Sequence, residues 1–146
     1  MKISVFIATP IAAFPSEKEY EKFRTKLKIL SEKMSEKVDV FSAALTVPSF
    51  SAYSSPALSA DQDFNNIKNS THFILIYPQA VPTSALVELG YALALKKKIL
   101  ILASSRENLP YMTRELDDVY SNVQISCLYP DWDDIENVIA SFLVLE

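Results

Sequence analysis

Along this chain, runs in which nearly every residue is apolar alternate with stretches in which apolar side chains recur every three or four positions among charges. The first kind reads as strand covered on both faces, the second as amphipathic helix. Strand-like runs cover residues 2–8, 38–44, 72–77, 99–103 and 123–128. Helix-like segments cover 16–35, where Tyr20, Phe23, Leu27, Leu30 and Met34 share one face, then 61–69, 84–97, a short one at 111–119 and a last one from Asp131. Asp131 suits an N-cap, with Asp134 adding charge to the first turn. Residues 45–60, rich in serine, proline and aromatics, read as one long connection, and Pro78 and Pro82 bracket a second loop. The pattern predicts an α/β protein: a flavodoxin-like, doubly wound, five-stranded parallel sheet of βα repeats with helices on both faces. Ligands bind such sheets beyond the carboxyl ends of the strands. A site is therefore expected among residues 9–11, 45–60, 77–84 and 104–110, with 45–60 long enough to act as a lid.

Composition narrows the classes. The 146 residues suit one domain, 1–146, and 49% apolar against 22% charged residues is enough for a sizeable core. No apolar run has the length of a membrane span, and residues 1–8 are too short and strand-like for a signal peptide, so a cytoplasmic protein with no membrane contact is expected. One cysteine excludes an internal disulfide, and one histidine argues against a zinc site. The net charge of −4, with Lys96, Lys97 and Lys98 as the one basic cluster, argues against a nucleic-acid surface. Those lysines suit the end of a helix. A single glycine, Gly90, rules out both the dinucleotide-binding fingerprint and the P-loop, which need several. Neither a metal nor an organic cofactor is expected.

Against this background Glu88 stands out. It is the one charged residue in the apolar run Ser84-Ala85-Leu86-Val87-Glu88-Leu89-Gly90-Tyr91-Ala92. A carboxylate in a buried helix is costly unless it is paired or faces a crevice. Glu88 lies about one turn in, and its side chain points back toward the helix start. The spacing from Ser84 or Thr83 is wrong for a capping box, which leaves a functional carboxylate or the wet stripe of a surface helix. Gly90 lowers helix propensity and implies close packing there. Weaker signals are Tyr77 at a strand end, Ser84 at a helix N-terminus where phosphate is favoured, and Ser51, Tyr53, Ser54 and Ser55 in the long loop. Asp61 and Asp63 suit a helix start as well as a site. His72 reads as structural, Cys127 as a buried core thiol, and Arg106 and Arg114 as surface ion-pair partners before phosphate ligands.

Two segments, Asp63-Phe64-Asn65-Asn66-Ile67-Lys68 and Ser84 to Ala92, together with the opening Val5-Phe6-Ile7-Ala8-Thr9-Pro10, resemble the nucleoside 2-deoxyribosyltransferases. The resemblance spans roughly residues 1–103, and the related TIR domains share the layout. It implies that Glu88 is the nucleophile that attacks the anomeric carbon and that Asp63 binds and protonates the base. The position of the crevice beyond the strand ends puts Thr9, Pro10, Tyr77, Ser84 and Tyr53 around the expected substrate. The chain departs from the family at Pro82, where the transferases carry a further aspartate, and at Val5 or Phe6, where they carry tyrosine.

Two functions are open on this reading. One is an enzyme that cleaves or transfers the N-glycosidic bond of a nucleoside, nucleotide or NAD-like dinucleotide, without metal. The other is a non-catalytic TIR-like module that binds nucleotide or self-associates in signalling or defence, for which the mean hydropathy of +0.12 speaks. The resemblance implies a homo-oligomer for either.

Overall fold

The computed structural model describes residues 2–11, 14–47, 55–81 and 83–144. Tyr53, with Ser51, Ser54 and Pro82, lies outside them. Five strands, β1 (Ser4–Ala8), β2 (Asp39–Ser42), β3 (His72–Tyr77), β4 (Lys98–Ala103) and β5 (Val123–Ser126), form one parallel sheet in the order β2-β1-β3-β4-β5. Helices α1 (Glu17–Ser35), α2 (Pro56–Asn69), α3 (Ser84–Ala94), α4 (Leu116–Val119) and α5 (Trp132–Phe142) connect and cover them. This is the flavodoxin-like winding that the alternation predicts.

The central strands β1, β3 and β4 are almost continuously apolar because each face has its own core. Val5, Ile7, Ile74, Ile76, Leu100 and Leu102 pack against Phe23, Leu27 and Leu30 of α1 and Ile135 and Ile139 of α5. Their neighbours Phe6, Ala8, Phe73, Leu75, Ile99 and Ile101 face Ile67 of α2 and Ala85, Leu89 and Ala92 of α3. Successive strand residues thus alternate between two dry layers. Because β1 is followed in space by β2 on one side and β3 on the other, the loops after β1 and β3 leave for opposite faces and open a crevice between them.

Several boundaries differ from the sequence reading. Helix α2 starts at Pro56, with Ser55 as N-cap accepting from the Leu58 amide, so five residues of the expected long loop are helical. Serine followed by proline at the first helical position is itself a start signal. Asp63 is therefore two turns inside α2, and capping does not explain it. Helix α3 stops at Ala94 and not at Lys97. Lys96 takes φ 57 and its amide reaches Leu93 O, while the Lys97 amide reaches Ala92 O, closing the helix in a Schellman turn. The lysine cluster thus follows the helix end, and Lys97 Nζ donates to Lys68 O at the end of α2. Asp131 caps α5 by accepting from the Asp134 amide, as expected. Cys127 is exposed: edge strand β5 ends at Ser126, one residue before it.

Gly90 is exposed as well, and among the described residues nothing lies within 4 Å of where a Cβ would stand. The expected close packing is absent because Gly90 lies on the solvent side of α3, about 200° around the helix from Glu88.

Candidate functional site

Glu88 sits one turn inside α3 and is 8% exposed. Thr83 caps the helix and accepts from the Ala85 amide at 3.4 Å. Asp63 reaches it from α2, whose apolar Ile67 and Phe64 face α3. Phe64 meets Tyr91, one turn beyond Glu88, with ring centroids 5.1 Å apart. The aromatic contact and the carboxyl pair lie in successive layers of one helix–helix seam.

The carboxyl groups of Asp63 and Glu88 hydrogen-bond to each other, and two carboxylates in contact cannot both be ionised. Burial pushes Glu88 up to about 9, and Asp63 adds to this by accepting its hydrogen bond and by its negative charge. Burial also raises Asp63, against the lowering effect of the bond from Glu88. The helix dipole favours an anion at the N-terminal turn by about 0.3–1 kcal/mol, whereas desolvating a charge costs several. Desolvation wins. At neutral pH Glu88 therefore keeps its proton and donates it in a hydrogen bond to the half-buried Asp63.

The crevice walls are fixed by side chains bonded to backbone. Thr9 Oγ1 donates to Ile76 O at 2.8 Å, joining the end of β1 to β3. Tyr77, fully buried, donates from its hydroxyl to Val81 O at 2.6 Å and holds the β3–α3 loop. A buried carbonyl left without such a donor costs about 1–3 kcal/mol. Pro10 is buried and Ser84 is exposed at the start of α3. Of the expected site residues, the structure brings Asp63 and Glu88 into direct contact. It gives Thr9 and Tyr77 hydroxyls that are engaged with backbone, an engagement no local sequence pattern signals.

Of the other expected residues, Arg106 and His72 take the structural roles expected, whereas Arg114 is tied to backbone carbonyls. Arg106 forks onto Asp117 at 2.9 and 2.7 Å, and Arg114 donates to Leu109 O and Glu107 O. His72 lies at the opposite end of the sheet, bonded to Thr71 and edge-on to Phe142. Among the described residues no group of His, Cys, Asp and Glu is placed to hold a metal ion, and no helix is long and apolar enough to cross a membrane.

Compared by sequence, the chain matches no protein-family model and no curated protein. Among solved structures it is similar to BcmB, a CMP N-glycosidase of Clostridium botulinum, with 27% identity over 95% of this chain and 98% of that one and a TM-score of 0.64. It is similar to BlsM, with 22% identity over 95% and 88% of the two chains and a TM-score of 0.71. A 2-deoxyribosyltransferase of Leishmania mexicana matches at 18% identity over 70% and 65%, with a TM-score of 0.53.

Proposed function

We propose that this chain, which has the nucleoside 2-deoxyribosyltransferase-like fold, is an N-glycosidase that cleaves the bond between sugar and base in a nucleoside 5′-monophosphate. Glu88 is the nucleophile and Asp63 the acid. The observation that carries the reading is the hydrogen-bonded contact between the buried Glu88 carboxyl and Asp63. The likeness to a CMP N-glycosidase along nearly the whole of both chains supports a pyrimidine nucleotide as the substrate class. The open N-terminus of α3, with Ser84 exposed on it, suits the phosphate.

The pair's single proton serves both partners. When it passes from Glu88 to Asp63, the Glu88 carboxylate is freed to attack C1′ and Asp63 becomes the acid. The C1′–N bond breaks, its electron pair goes to the base, and the base takes the proton from Asp63. Water then attacks C1′ and gives its proton to Asp63, and Glu88 leaves as carboxylate. One proton again remains on the pair, and the sum is substrate plus water to free base plus sugar phosphate. An inverting enzyme needs its carboxyl groups about 6.5–9.5 Å apart with water between them. Groups in hydrogen-bond contact favour direct attack by Glu88.

The test is base release followed by chromatography for the wild type beside Glu88→Ala, against nucleosides, nucleoside monophosphates and NAD. Loss of release in the variant, with the fold intact, is expected; turnover that survives the change would sink this mechanism. We also propose a homo-oligomer, because Tyr111 and Met112 are 84% and 87% exposed beyond β4. Sedimentation at micromolar concentration should give more than one chain's mass, and Met112→Lys should lower it.

A further inference from the structure

Where β1 leaves the sheet, one backbone donor is missing and a side chain stands in for it. The Asp39 amide donates to Ile3 O, so odd-numbered residues of β1 turn their backbone polar groups to β2 and even-numbered ones to β3. On the β3 side the register runs to Ala8 opposite Leu75. Carried on by two residues, it makes the amide of position 10 the next donor, aimed at Ile76 O. Residue 10 is proline and has no N–H. The carbonyl it would leave empty accepts instead from Thr9 Oγ1 at 2.8 Å, and the Thr9 side chain is buried.

This replacement lies on the path that sets the catalytic pair. Ile76 precedes Tyr77, whose hydroxyl holds Val81 O, and α3 with Glu88 begins three residues later. Helices α2 and α3 both pack against β1, whose Ala8 shares a core layer with Ile67 of α2 and with Ala85 and Leu89 of α3, the latter next to Glu88. The Thr9 hydroxyl thus keeps β1 and β3 tied together one residue beyond the last paired position, Ala8.

We infer that Thr9 is a positioning residue that never touches substrate: its hydroxyl replaces the amide Pro10 lacks and thereby holds together the strands against which the helix of Glu88 packs. The inference rests on Glu88 being the nucleophile. It predicts an unusual rescue, because the function of the hydroxyl can be restored by a backbone amide at the next residue.

The experiment compares wild type, Thr9→Ser, Thr9→Val and the double variant Thr9→Val with Pro10→Ala, measuring kcat and KM for base release from cytidine 5′-monophosphate. Misalignment of a reacting group by about 1 Å costs up to about a hundredfold in rate. Thr9→Val should therefore lose roughly ten- to a hundredfold in kcat, with KM changed by less than about threefold. Thr9→Ser should keep wild-type turnover, and Pro10→Ala should return most of the loss in the double variant. Recovery with serine but not with the double variant would mean that the hydroxyl meets substrate, and would overturn the inference. So would a Thr9→Val enzyme as fast as wild type. If Thr9→Val fails to fold, the double variant still decides, since a folded and active double variant supports the replacement and an unfolded one refutes it. A wild type that releases base from no compound would instead overturn the proposed function, and this inference with it.

Discussion

At the scale of single residues, the Glu88 proton sets the pH response. Its folded value, about 9, lies above the ordinary 4.5, so the folded state holds a proton that the unfolded chain releases between those values. Stability from this group is full below about pH 4.5, falls as pH rises through that window, and is flat above about 9. Asp63 shifts in the same direction. Thermal melts should show Tm falling from pH 5 to pH 9 in the wild type and falling less in Glu88→Gln, which has no proton to lose; parallel curves would contradict the pairing. Turnover should be greatest while the pair holds one proton and decline as pH passes about 9. Glu88 was legible from sequence because a lone carboxylate in an apolar helix needs a reason. The Thr9 bond to Ile76 was not, because it depends on a register between residues 67 positions apart.

Among the elements, α2 and α3 decide the site, and the two were unequally legible. The regular spacing in α1 and the apolar strands had no rival reading, and β3 lies where its pattern predicts. Helix α2 was half hidden, because Pro56, Leu58 and Ser59 sit in a serine- and proline-rich stretch and its mean apolarity is low. Starting the helix at residue 61 left Asp63 explicable as a cap. With the start at Pro56 it faces α3 from mid-helix. The end of α3 was also misplaced, since Lys96 is not a residue expected at positive φ. A left-handed conformation costs a residue with a Cβ about 1–2 kcal/mol, and glycine avoids it. Lys96→Gly should therefore stabilise the protein by about 1 kcal/mol and raise Tm by about 2–4 °C, measured by thermal melting. A lower Tm would mean that the lysine side chain contributes more there than its backbone strain costs.

For the molecule as a whole, sheet order sets what lies near what. The crevice opens between β1 and β3, and the order β2-β1-β3-β4-β5 puts the end of β5 two strands away on the same edge. Cys127, which the apolar run 123–128 disguised as core, stands exposed at that end. At about 4.8 Å between neighbouring strands, it is roughly 10 Å from the mouth of the crevice. It is also the chain's one cysteine. A fluorophore coupled through a thioether would thus attach at a single place, on the same edge of the sheet as the crevice and close enough to sense a ligand entering it. The misread thiol makes the protein a ready reporter of its own binding, one in which occupancy could be followed optically even in a variant that no longer turns over.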